Sequence, residues 1–195
     1  LNNDYTRNYG DITISGTPKQ HTGSSLADFG VYDNRSSVGG ITGALRYNPV
    51  CLGTIVSKVN YYSRVLNYGN ITFQDAETLN YVSVGGILGE MSLPQAVAIG
   101  AKNEGAISLS APNGGYGLFV GGVVGLINDI HNPTAATKIE FNQAANNTGD
   151  ITLNDGEDMD EHSVRGAYLG GMIGGHFGDA HTHSMVNTPE VSISS

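Results

Sequence analysis

Two short motifs alternate along this chain, and that alternation constrains its fold more than any other feature, because a period of 20–50 residues marks a repeat architecture. The first motif reads Asn8-Tyr9-Gly10-Asp11-Ile12-Thr13-Ile14, Asn67-Tyr68-Gly69-Asn70-Ile71-Thr72-Phe73, Asn103-Glu104-Gly105-Ala106-Ile107-Ser108-Leu109 and Asn147-Thr148-Gly149-Asp150-Ile151-Thr152-Leu153. A degenerate fifth copy, Asn187-Thr188-Pro189-Glu190-Val191-Ser192-Ile193, has Pro in place of Gly. Between these copies stands the second motif: Val38-Gly39-Gly40-Ile41-Thr42-Gly43, Val84-Gly85-Gly86-Ile87-Leu88-Gly89, Val120-Gly121-Gly122-Val123-Val124-Gly125 and Leu169-Gly170-Gly171-Met172-Ile173-Gly174. Asn67 to Gly85, Gly85 to Asn103 and Asn103 to Gly121 are each 18 residues apart, so the cleanest stretch repeats every 36 as two equal halves. Other intervals are longer, 31 from Asn8 to Gly39 and 28 from Gly39 to Asn67.

Even spacing of this kind predicts an all-β protein, a parallel β-solenoid (β-helix) in which each half-repeat is one coil and the longer intervals are inserted loops. Nine motif copies then give about nine short coils, stacked over roughly 40 Å at an inter-strand spacing of ~4.8 Å. The repeats span 1–195 as a single domain or as a segment of a longer array. Longer inserts fall at 16–35, 46–60, 131–137 and 155–163, and the weakly helical stretch 92–99 is too short to change the class.

The residues explain why such coils form. In Ile-Thr-Ile, Ile-Thr-Phe, Ile-Ser-Leu and Ile-Thr-Leu the apolar residues stand two apart with a hydroxyl between, the period of a strand with one buried face and Thr or Ser outward. Asn-x-Gly ahead of it is a turn signal, with Gly expected at positive φ. Stacked asparagines can also bond neighbouring coils as a ladder. Strict alternation would send Val38 and Ile41 to opposite faces, so the Gly pair is expected to carry a bulge or sharp bend that turns both inward. The closing Gly43, Gly89, Gly125 and Gly174 are expected at the next corner. Glycine, 28 of 195 residues, disfavours helix by about 1 kcal/mol per residue relative to Ala.

Charge narrows the function. Nine Lys and Arg against 18 Asp and Glu give a net charge of −9, the wrong sign for neutralising phosphates or an anionic bilayer. Nucleic acid is therefore excluded as a partner. The longest apolar run, 116–127, is too short for a transmembrane helix. Cys51 stands alone, so neither an internal disulfide nor a Cys-rich zinc site is available. The chain opens on Leu1 without a basic, apolar leader, consistent with removal of an upstream segment.

Gly-Gly-apolar-x-Gly followed by Asn-x-Gly-x-Ile resembles the GLUG motif, and its copies run from Asn8 to Ile193. The resemblance implies a large secreted or surface-attached bacterial protein of adhesin-like type. It transfers no catalytic residues, and no His-Glu-x-x-His is present to suggest the peptidase activity found beside some members. Where family copies commonly carry Leu after the Gly pair, this chain has Ile41, Ile87, Val123 and Met172, a volume-tolerant change. Thr42, where other copies have Leu88, Val124 and Ile173, suggests a looser or edge coil.

Four groups of residues carry candidate chemistry. Tyr61, Tyr62 and Tyr68, clustered beside Asn60 and Asn67, suit stacking and hydrogen bonding to a sugar, although Tyr is also an ordinary strand residue. His176, Asp179, His181 and His183 hold metal-ligand types, with His181 and His183 spaced to share a strand face; a polar surface loop on the last full coil, with no activating base, is the reading the sequence favours. Asp155, Asp158 and Asp160 lie in an acidic stretch that offers oxygen ligands to Ca²⁺ but lacks EF-hand spacing, and it reads otherwise as a solvated loop. Val120-Gly121-Gly122-Val123-Val124-Gly125 lacks the order and the following helix of a dinucleotide loop. No repeated carboxylate pair suggests glycoside chemistry, since Asp11 and Asp150 become Asn70 and Ala106 in the other copies.

The resulting expectation is a non-catalytic extracellular or cell-surface repeat domain with a structural or adhesive role and no required cofactor. Its partners would be a host or matrix protein, a glycan, or further repeats, including end-to-end self-association. Alternatives are a carbohydrate- or protein-binding module using the inserted loops and exposed Tyr, with Ca²⁺ assisting, and a glycoside-active β-helix.

Overall fold

In the computed structural model, residues 6–18, 36–46, 59–92, 97–112, 115–128, 139–141, 145–154, 165–177, 181–182, 186–187 and 191–194 are described. Among them the chain is all-β, with no helix, and its strands form four parallel sheets stacked as a solenoid. The first sheet carries Thr6–Asn8, Val59–Asn67, Val97–Asn103, Ile139–Phe141 and His181–Thr182, with the short strands Asn146–Asn147 and Val186–Asn187 beside them. The second sheet is Ile12–Ser15, Ile71–Gln74, Ile107–Ser110, Ile151–Asn154 and Val191–Ser194. Ser36–Gly39, Val82–Gly85, Gly115–Gly121 and Arg165–Gly170 make the third, with Leu79–Asn80 paired at its side. Thr42–Arg46, Leu88–Ser92, Val124–Asn128 and Ile173–Phe177 make the fourth.

The register corrects the expected coil. Asn8 pairs with Asn67, Asn67 with Asn103 and Asn103 with Asn147, while Gly39 pairs with Gly85, Gly85 with Gly121 and Gly121 with Gly170. Like stacks on like, so one coil consumes both motifs. The nine copies therefore make four full turns, 6–46, 59–92, 97–128 and 139–177, followed by the half turn 181–194, rather than nine coils. Five rungs at ~4.8 Å span only about 19 Å.

Two apolar columns fill the coil. The second sheet faces the third through Ile71, Phe73, Ile107, Leu109, Ile151 and Leu153 against Val82, Val84, Leu118 and Val120. Across the coil, the first sheet meets the fourth through Val65, Ala101 and Ala145 against Leu88, Met91, Val124 and Ile127, closed by Ile87, Val123 and Met172. Each fully buried Ile or Leu contributes roughly 1.5–3 kcal/mol, and the second sheet alternates strictly between these inward residues and outward polar ones. Val38 packs on one column and Ile41 on the other, so the bend at the Gly pair does turn both inward, into separate cores.

The outward side of the second sheet is regular. Thr13, Thr72, Ser108 and Thr152 stand in one register column, followed by the position of Ser192. Beside it, Ser15 pairs with Gln74, and Ser110 with Asn154 and then Ser194.

Candidate functional site

Where the first and second sheets meet, the Asn-x-Gly corner supports a continuous amide ladder. Asn8 Nδ2 donates to Asn67 Oδ1, Asn67 Nδ2 to Asn103 Oδ1, and Asn103 Nδ2 to Asn147 Oδ1, each at 2.8 Å. Every one of these amides also donates to the carbonyl two residues ahead, on Gly10, Gly69, Gly105 or Gly149. Asn67, Asn103 and Asn147 are fully buried, where an unpaired amide would cost about 1–3 kcal/mol. The ladder runs between the two apolar columns and holds the coils in register. A second chain of bonds follows on the outside: Asp11 Oδ1 accepts from the Asn70 N–H at 2.7 Å, and Asn70 Oδ1 from the Ala106 N–H at 2.9 Å.

The glycines of this corner serve a different purpose from the expected one. Neither Gly10, Gly69, Gly105 nor Gly149 has positive φ; Gly16 and Gly117 do. What Gly69, Gly105 and Gly149 lack is space, because a Cβ there would overlap the carbonyl of the corresponding glycine in the preceding coil, whereas one on Gly10, in the first coil, would meet Asn8 Oδ1 at an ordinary 3.7 Å.

The Gly pair lies opposite. Gly40, Gly86 and Gly122 sit flat against the amides of Asn67, Asn103 and Asn147 in the following coil, close enough that a Cβ would overlap the side chain. Gly39, Gly85, Gly121 and Gly170 are closed by the carbonyl three residues on, the mark of a sharp arch between the third and fourth sheets. Gly171 completes the fourth pair, its carbonyl against Gly122. Gly43, Gly89, Gly125 and Gly174 are not at a corner. They lie within or beside fourth-sheet strands, and those of Gly89, Gly125 and Gly174 are pressed on the backbone of Val38, Val84 and Val120.

Inside the arch lies a third line of residues whose character changes along the axis. Ser37 Oγ donates to Glu90 Oε2 at 2.8 Å, and Glu90 and Ser83 are fully buried. One coil further on, the matching positions are Phe119 and Leu126, and Phe119 stacks on Tyr168 with centroids 4.9 Å apart. Glu90 is sealed from solvent and cannot touch a substrate in this conformation.

Of the sugar-binding candidates, Tyr68 is placed. It stacks on Tyr9 at 4.9 Å and 3°, and Tyr9 is 65% exposed with its hydroxyl accepting from Arg7 Nη1 at 3.3 Å. Sequence reasoning misses Tyr9, although it occupies the same motif position as Tyr68. Tyr61 and Tyr62 lie in the strand Val59–Asn67, Tyr62 in register with Ile99, and their side chains fall outside the described residues. His176, half-buried, belongs to the fourth sheet in register with Ile127, whereas His181 belongs to the first sheet in register with Glu140. Asp179, His183, Asp155, Asp158 and Asp160 lie outside the described residues. Among the described residues no three His, Cys, Asp or Glu are grouped to hold a metal ion, and no helix is long and apolar enough to cross a membrane.

A scan against protein-family models and searches of curated proteins and solved structures return no match.

Proposed function

We propose that this chain is a non-catalytic structural and adhesive domain of a secreted or surface protein, of the GLUG-repeat kind, that holds its attachments at a fixed spacing along a rigid axis. The observation that carries this reading is the amide ladder, in which four successive coils are joined end to end by hydrogen bonds of 2.8 Å. A column of such bonds resists both bending and slippage of register, the mechanical demands on a stalk. Further repeats of the same kind are the natural axial partners, since the ladder and both apolar columns extend without change of chemistry.

Single-molecule pulling along the axis tests it. Extension should proceed in coil-sized steps, at forces that fall in an Asn103→Ala variant; smooth extension at low force would remove the spacer role. Beads coated with the chain should then adhere to matrix proteins or glycan-bearing surfaces, and inert beads would remove the adhesive role.

A second reading is favoured by the exposed Tyr9–Tyr68 stack beside Arg7, which offers a ring face and hydrogen-bond donors to a sugar. Glycan-array binding that is lost in Tyr9→Ala would support it, and a silent array would dispose of it.

A further inference from the structure

The outward side of the second sheet adds nothing to the two apolar columns, yet it is the most regular surface of the molecule. Its eight described outward positions, two on each of four rungs, are Thr or Ser at six, with Gln74 and Asn154 at the others. Along it Gln74 Nε2 donates to Ser15 Oγ at 3.0 Å. None of the eight is charged, in a chain with 27 charged side chains (9 Lys and Arg plus 18 Asp and Glu). Acidic groups stop at its border, where Asp11 and Asp150 stand at the corner. The rungs pair residue for residue without the register shifts that interrupt the first sheet. The result is a regular grid of hydrogen-bonding groups, repeating at ~4.8 Å along the axis and about 6.6 Å along each strand.

A convergent pocket recognises one molecule; a grid that repeats in two directions recognises a ligand that repeats in two directions. Having no charge, the grid gives a mineral face or a polyanion no long-range attraction, so a neutral lattice suits it best. Two neutral, hydrogen-bonding lattices remain, crystalline polysaccharide and ice. Sugar rings present apolar faces that are met by aromatic side chains, and the outward columns contain none; the Phe73 ring of this sheet points into the core. Ice presents only oxygen and hydrogen, with repeats on its prism planes close to those of the grid. Thr13, Thr72 and Thr152 each carry a methyl group beside the hydroxyl, which adds apolar surface to one column of the grid.

We propose that the outward face of the second sheet binds ice, by ordering surface water on its columns of Thr and Ser. Binding would follow the number of rungs, so the face gains from each added repeat. The proposal does not depend on the mechanical role above.

The test is nanolitre osmometry and ice-recrystallisation assay of the full chain. The wild type should facet growing ice crystals and suppress recrystallisation. Ser108→Tyr, at an exposed position in the centre of the grid, should abolish both while circular dichroism and the melting temperature stay unchanged. Thr13→Tyr at the edge of the grid should give a smaller loss, and Glu104→Gln, at the neighbouring corner, none. Round crystals and normal recrystallisation with the folded wild type would overturn the proposal, as would full activity in folded Ser108→Tyr. Sedimentation of the chain with microcrystalline cellulose or chitin in place of ice activity would overturn it in favour of a polysaccharide lattice. In each of these outcomes the pulling experiment still reports separately on the spacer.

Discussion

The two corners of the coil stack with equal regularity for opposite reasons. At the Asn corner the side chain makes the fit: a buried amide donates twice and accepts from its neighbour, so the contact consists of hydrogen bonds. At the Gly pair the absence of a side chain makes it, since the backbone of the arch lies directly on that amide and on the next rung. One contact thus has two halves, and neither motif makes sense without the other. Their strict alternation in sequence follows from this, because every turn must bring one Asn and one Gly pair to the same waist.

The comparison is broken most severely from the glycine side. In Gly86→Ala the added methyl meets the Asn103 amide and the Gly122 carbonyl, both fixed, so the coil must open. We expect a loss of about 3 kcal/mol or more, the upper end for overpacking, read as a lowered urea midpoint or as failure to fold. Gly16→Ala is the reference: its φ is +84° but nothing lies within 4 Å, so it should cost only the left-handed strain of about 1–2 kcal/mol.

From the asparagine side, Asn103→Asp keeps shape and changes donors. The ionised carboxylate of this variant still accepts from Asn67 but turns an anion toward the Asn147 oxygen and the Gly105 carbonyl, both of which receive a donor in the wild type. The loss at neutral pH should be about 2–3 kcal/mol, for buried acceptors left without that donor. Burial and these oxygens raise the folded-state pKa of the new carboxyl above the unfolded value of about 3.9. With the folded value raised, relative stability is present below the unfolded pKa and disappears as pH rises through the folded one. Urea melts of variant and wild type should therefore converge on acidification and diverge toward neutrality; parallel curves would show that the charge is not confined to the ladder.

How much of this can be read beforehand differs between the corners. Ile-Thr-Ile announces its inward and outward residues because a strand has a period of two, and the second sheet follows it without exception. The asparagine ladder is legible too, since asparagine has both a donor and an acceptor to share along a stack. The coil length is not, because two halves of 18 residues look like two coils unless one asks which motif can lie on which; an amide can continue its ladder only on another amide. Phase along the fourth sheet is also hidden. Leu88 and Met91 enter one core while Gly89 and Glu90 both face the arch, a spacing of three that alternation cannot announce. The Tyr9–Tyr68 stack is half visible, as a shared motif position whose consequence depends on rungs being adjacent. Three of the metal candidates, Asp155, Asp158 and Asp160, fall in the insert at 155–163, where no repeat constrains the chain.

A milder way to sharpen the comparison is to remove a stack that neither corner needs. Tyr9→Ala deletes an exposed ring from its contact with Tyr68, and the loss should be about 0.5–1 kcal/mol, the value of an aromatic pair. A cost as large as that of Asn103→Asp, measured in the same urea titration, would mean that the ring supports the ladder beneath it.

The smallest effect has the opposite sign. The outer line of bonds at the Asn corner passes from Asp11 to the Asn70 N–H and from Asn70 to the Ala106 N–H, then meets a methyl group, which offers the next rung no acceptor. Asp150 stands at the following position, its backbone in line with those before it, as the Ile107 N–H bond to the Asp150 carbonyl shows. Ala106→Asn places an oxygen in that line, at a half-buried site where the preceding rung already carries Asn. One added hydrogen bond of this kind is worth about 0.5–1.5 kcal/mol, less the rotamer freedom lost in ordering the new side chain. The net gain should be about a few tenths of a kcal/mol, seen as a small rise in the urea midpoint with unchanged slope. Ala106→Leu, of similar reach but with no acceptor, should give no gain. If both variants gain equally, the effect is burial and the outer ladder contributes nothing; if only Ala106→Asn gains, side-chain bonding along the axis can be extended by one residue at a time, which is how the buried ladder beneath it is built.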